Sequence, residues 1–121
     1  IQDNEGRFLD VNNGATKMYG FSKDYFIGKT LLDIGAPNKN NLGYIGEMTE
    51  RAFAGNPQEF EFWGQRSNGQ VFPKIINLTK GTYFGQDVLI AIAQDITARK
   101  SAEDAARTLN TFKLVFMIVS P

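Results

Sequence analysis

The chain has 121 residues, 42% of them hydrophobic, and its thirteen basic side chains are balanced by thirteen acidic ones. That length supports one core and a tail, and zero net charge gives no general attraction to nucleic acid or to an anionic membrane surface. Cysteine and histidine are both absent, which excludes disulfides, thiolate nucleophiles, Cys or His zinc sites and imidazole acid–base catalysis.

Asp3-Asn4-Glu5-Gly6 is a turn cluster, and Arg7 to Asn12 after it reads as a short strand, so the chain opens on a hairpin. Asn12 or Asn13 caps a short helix through Tyr19, with Gly20 as its stop, and Ser22 caps a second over Lys23 to Ile27, stopped by Gly28. Leu42, Ile45, Met48, Thr49, Ala52 and Phe53 then recur at helical spacing until Gly55-Asn56-Pro57. From Glu59 the period changes to two. Glu59 to Trp63 alternates, Ser67-Asn68-Gly69 turns, Val71 to Lys80 returns, and a second turn region, Gly81 to Asp87, leads into Val88 to Gln94. If the opening hairpin is to bury its apolar side it must join this meander, which predicts an α+β fold with a five-stranded antiparallel sheet and short helices on one face.

After Thr97 the pattern becomes helical with no Gly or Pro between. Ala98, Ala102, Ala105, Leu109, Phe112, Phe116 and Val119 follow alternating steps of four and three, the spacing of a coiled-coil seam or of a helix packed on its own sheet. Leu114 to Val119 is the longest apolar run and falls well short of the roughly 20 residues of a spanning helix. A truncated span is the alternative for that tail.

Three stretches together, NEGRFLDVNNGATKMYGFSKDYFIGKTLLDI at the front, RSNGQVFPKI in the middle and QDITARK at the end, resemble the PAS sensor domains over about residues 1 to 100. The resemblance implies a five-stranded sheet and helices around a small cavity, and a helix after the Asp-Ile-Thr motif that carries a signal to an output domain. It implies a PAS domain at 1–97 with its first strand truncated, a signalling linker helix at 98–111, and at 112–121 a lead-in to a following domain, a second PAS domain being one possibility. Only Ile1 and Gln2 precede the first turn. Either the strand starts upstream of Ile1 or another segment fills its place.

The residues also sort the cofactors of that family. A His-ligated haem and a Cys-adduct flavin are excluded, and no cofactor is predicted. Non-covalent flavin is disfavoured, because Gly64, Lys74 and Ala93 stand where flavin-binding relatives place amide side chains. If Phe72, Ile76 and Leu78 point toward the helices, the period of two sends Lys74 the same way, with Phe60, Phe62 and Gly64 on one neighbouring strand and Leu89, Ala91 and Ala93 on the other. The expected ligand-binding set is Phe60, Phe62, Gly64, Lys74, Ile76, Ala91 and Ala93, whose small members leave space. An unpaired buried ammonium costs several kcal/mol. Lys74 therefore either pairs with the carboxylate or phosphate of a small ligand, or snorkels from a sheet edge, or pairs with a core acid such as Asp33.

The same register puts Trp63, Ile75, Val88, Ile90 and Ile92 on the outer face, to be covered by a dimer partner, by the helix after Thr97 or by upstream residues. Trp63, Ile75, Ile90, Ile92, Leu109 and Phe112 are the expected interface, and Asp95, Ile96 and Thr97 the residues of signal transmission, with Thr97 as cap of the helix from Ala98. Gly28-Lys29-Thr30 lacks the earlier glycine of a phosphate-binding loop, and Asp24, Asp33, Glu47, Glu50, Glu59 and Glu61 show no metal spacing.

The resemblance thus implies a non-enzymatic, cytoplasmic regulatory module that binds a small molecule, forms a homodimer, or both, and is covalently linked to an output domain of histidine kinase or diguanylate cyclase type; the inward Lys74, where family members more often carry an aliphatic residue, is what points to an anionic ligand. Nucleic acid is not a partner, and this segment does not anchor in a membrane. Two alternatives stand: a ligand-free PAS domain that only dimerises, and a small-molecule enzyme with Asp33 as base and Lys74 as electrophile.

Overall fold

The helical half begins with a side-chain cap. In the computed structural model, which describes residues 1–105, Asn12 accepts the Ala15 amide and starts α1 (Asn13–Tyr19). Gly20 ends α1 in the left-handed region at φ 79°, a conformation open to glycine without strain, and its N–H returns to the Thr16 carbonyl. The next helix, α2 (Lys23–Phe26), is a single turn that stops before Ile27.

A 3-10 turn over Leu31–Ile34, not foreseen from the periodicity, is started by a capping box in which Thr30 and Asp33 satisfy each other's backbone amides. Its signature, Thr30-x-x-Asp33, was present in the sequence. Asn41 then caps α3 (Leu42–Phe53), which buries Ile45, Met48 and Ala52.

The sheet consists of β1 (Gln58–Gln65), β2 (Val71–Tyr83) and β3 (Gln86–Asp95), antiparallel in that order. The ladder continues through Gly81–Tyr83, so the expected turn over Gly81 to Asp87 shrinks to Phe84-Gly85, with φ of 50° and 78°. These left-handed values suit the tight turn that matches strand twist.

Among the described residues the expected five-stranded sheet is not found: three continuous strands form it, and the opening hairpin contributes only isolated bridges. Gln2 exchanges two backbone hydrogen bonds with Leu89, both 2.7 Å, and is bridged on its other side to Phe8. The order Phe8, Gln2, β3, β2, β1 therefore exists across one line of residues. Beyond this line Phe8 turns its own backbone groups away from Gln2 and exchanges bonds with Gly28 and Lys29 on the far side.

Helices and opening hairpin lie against one face of the sheet, where Phe8, Met18, Tyr19, Phe26, Leu31, Ile45 and Met48 meet Phe60, Phe62, Phe72, Ile76, Leu78 and Leu89 in one core. The free edge of β1 is covered by the 35–40 loop. Ala36 donates to the Trp63 carbonyl, and the Asn40 side chain bonds both backbone groups of Trp63 at 2.8 Å. The outgoing helix α4 (Thr97–Ala105) follows β3 after one residue. Among the described residues no helix is long and apolar enough to cross a membrane.

Candidate functional site

Strand alternation brings Lys74 to the inner face, flanked across the ladders by Phe62 on β1 and Asp95 on β3. The side chain is 1% exposed, which rules out snorkelling, and it does not pair with Asp33, whose carboxylate is spent on Thr30 at the surface. Its ammonium nitrogen lies 4.4 Å from the centre of the Tyr19 ring and 5.2 Å from that of Phe62. Among the described residues no carboxylate comes within ion-pair distance of it. Burial pulls the amine down to about 7, against the opposing pull of the Asp95 charge.

Beside Lys74 is a cavity lined by Phe8, Val11, Ala15, Ile76, Ala91 and Ala93, among others. Its volume is about 10 Å³. That is room for a single water at most. Lys74, Ile76, Ala91 and Ala93 of the expected ligand set line this space; Phe60, Phe62 and Gly64 are buried on the same face but do not.

Gly64 leaves no room, contrary to expectation, because the Tyr19 hydroxyl has taken it. A Cβ at that position would stand 2.5 Å from Tyr19 Oη and 3.0 Å from the Phe72 ring. Among the described residues that buried hydroxyl has no hydrogen-bond partner, and burial raises its pKa. A glycine inside a strand is the sequence signal for such a close approach.

The junction to α4 is built on Asp95. Its Oδ2 accepts from Arg66 Nη2 at 2.7 Å, while its Oδ1 accepts both the hydroxyl and the N–H of Thr97, the latter at 2.9 Å. Arg66 also donates to the Met18 carbonyl and to Gln70, and its guanidinium stacks 3.8 Å over Phe72. Burial alone would raise the Asp95 carboxyl, but the bonds from Arg66 and Thr97 outweigh it and hold the pKa below the usual value.

Thr97 is consequently not the cap expected at Ala98. It is the first helical residue, and Asp95 is the group that bonds its amide. Ile96, buried, donates to the Pro73 carbonyl and supplies the carbonyl that accepts the Lys100 amide. Arg66 had no role assigned from sequence. The available signal was an acid at a strand end next to a turn, which needs a cation once buried.

On the outer face Trp63, Ile75, Ile90 and Ile92 are half-buried, and Val88 is fully buried. Trp63 is partly roofed by Lys39, whose ammonium lies 5.5 Å from its ring centre, and Lys100 of α4 reaches Glu61 on the same face at 3.2 Å. Leu109 and Phe112 lie outside the described residues. Among the described residues no cluster of acids fits a metal ion.

A sheet that closes a core against short helices on one side and hands its last strand directly to a capped helix defines a small α+β module. A family model for the PAS domain matches residues 1–98, and the chain belongs to that family. Solved structures agree on the fold. A PAS domain from Desulfitobacterium hafniense superposes with a TM-score of 0.65 at 21% identity, covering 78% of this chain and 87% of its own. The PAS domain of an HTR-like protein from Haloarcula marismortui gives 0.62 at 20% identity, covering 78% and 77%. A PAS domain from a two-component sensor histidine kinase gives 0.61 at 16% identity, covering 78% and 79%. No curated protein matches the chain.

Proposed function

We propose that this PAS domain is a non-enzymatic sensory module that passes changes in its core and sheet to an output domain through α4. The observation that carries this is the position of Asp95: one carboxylate ties Arg66, which is bonded to α1 and stacked on the core, to the first turn of the outgoing helix. Rearrangement of the inner sheet face then changes how α4 is held. The similarity to the PAS domain of a sensor histidine kinase supports an output of kinase type, and a diguanylate cyclase type would use the same linkage. The half-buried outer-face residues Trp63, Ile75, Ile90 and Ile92 support homodimerisation on that face.

Replacing Asp95 with Ala in the full-length protein tests this. The ratio of stimulated to basal output should collapse while amides of β2 keep their hydrogen-exchange protection. An unchanged ratio would dispose of the junction as a transmission element.

A second reading, that a small anionic molecule enters the core, is supported by Lys74, an inward amine without a carboxylate in ion-pair reach among the described residues. The small cavity requires the helices to move aside to admit it. Native mass spectrometry of the protein purified from its own host should show a retained mass that disappears with Lys74→Met; its absence in both would favour the ligand-free module. The enzymatic alternative loses its geometry, since Asp33 is an exposed capping residue and Lys74 is sealed in the core.

A further inference from the structure

Lys74 leaves β2 at the pair position directly across from Asp95, the end of β3, whose carboxylate accepts the amide of Thr97, the first residue of α4. Three elements pack polar or aromatic groups around its amine. From α1 comes the Tyr19 phenol, kept protonated by burial; from β1 the Phe62 ring; from β3 the Asp95 carboxylate, whose charge acts on the amine. Arg66, the neighbouring cation, is turned to Asp95 and Met18. The remaining wall is apolar, and the cavity of about 10 Å³ admits nothing larger than water unless the core opens. A proton is an input that the closed space beside the amine can accept without opening.

We propose that Lys74 and Asp95 form a proton-operated switch on α4: protonation of Lys74 sets a second cation in competition with Arg66 and Thr97 for the Asp95 carboxylate and loosens the start of the helix. The amine takes its proton from solvent and becomes an ammonium, and no other bond is made or broken. Asp95 stays ionised throughout, because its bonds to Arg66 and Thr97 hold its pKa below the usual value. The neutral amine makes no such demand, so Asp95 stays on Thr97.

Burial brings the Lys74 amine to about 7, so the exchange falls in the physiological range, with the tight state above that pH and the loosened state below it. The proposal rests on α4 as the output path, and its test reads the junction without any output domain.

The 121-residue chain, labelled with ¹³C and ¹⁵N, is titrated by NMR from about pH 5.5 to about pH 8.5, a span that brackets the shifted amine and not an ordinary lysine. Lys74 Cε and the Thr97 amide should share one midpoint near 7. Exchange of the Thr97 and Lys100 amides, corrected for intrinsic rate, should be about tenfold faster at the acid end, the factor expected for one pKa unit of coupling. Lys74→Met, apolar and of similar length, should abolish the pH dependence and keep exchange slow.

A Lys74 Cε that does not titrate within that span, or a Thr97 amide that ignores its midpoint, overturns the switch in the wild-type protein alone, whether or not the variant folds. The same Thr97 titration persisting in Lys74→Met also overturns it. The Asp95→Ala output assay above fails or succeeds independently of these results.

Discussion

Arg66 and Lys74 both belong to the β1–β2 hairpin and both act on Asp95, and they meet opposite fates. Arg66 takes the carboxylate, a backbone carbonyl, a glutamine and an aromatic face together, because a planar fork of five donors can serve several partners from one position. Lys74, a point charge on a flexible stem, is left with two aromatic rings and a depressed pKa. Two cations of one hairpin thus stand differently: half-buried Arg66 is satisfied and fastens the fold to α4, and buried Lys74 has no ion-pair partner among the described residues.

The sharpest way to break that contrast is Arg66→Ala. It leaves the Asp95 carboxylate, 8% exposed, without its cation, and stability in urea should fall by about 3 kcal/mol, as when one partner of a buried pair is removed. A loss below about 1 kcal/mol would mean that the pair behaves as a surface bridge.

Lys74→Met should act in the opposite direction and with pH. The folded amine titrates at about 7 and the unfolded one near 10.5, so between these values the unfolded chain binds more protons and wild-type stability rises with pH. Below the folded value the variant should be more stable than wild type by on the order of 5 kcal/mol, and the gap should close as pH approaches the unfolded value. A gap constant with pH in chemical denaturation would show that Lys74 does not change charge on folding.

Smaller effects sharpen the two sides. Thr97→Val removes one of the two bonds to Asp95 Oδ1 and keeps the backbone one; a loss of about 1 kcal/mol is expected. Tyr19→Phe keeps the ring beside Lys74 and deletes a hydroxyl that has no partner. It should raise the thermal midpoint slightly, by the equivalent of about 0.5–1 kcal/mol. A marked fall instead would point to a water bound at that hydroxyl.

Much of the architecture was legible. The Asn cap of α1, left open between Asn12 and Asn13, the Gly20 stop and the alternation of β1 to β3 all act within a few residues, and such signals appear in the sequence itself. The inward direction of Lys74 followed from the same period of two. What escaped was non-local. The opening hairpin was expected to add two full strands, but only single bridges from Gln2 to Phe8 and to Leu89 form, an extent of pairing settled only when the elements pack. Gly64 and Ala93 suggested open space, yet Tyr19 from α1 fills the first of these places with its hydroxyl.

By itself the sequence determined the class of fold, the inward lysine and the absence of any flexible joint before α4, because periodicity, turn residues and the lack of Gly or Pro are local properties. Only the tertiary structure decided which cation holds Asp95, how little space lies beside Lys74, and that Asp95 rather than Thr97 anchors the helix. Those outcomes depend on groups far apart in the chain competing for the same carboxylate and the same volume, and such a competition is resolved only when the elements pack.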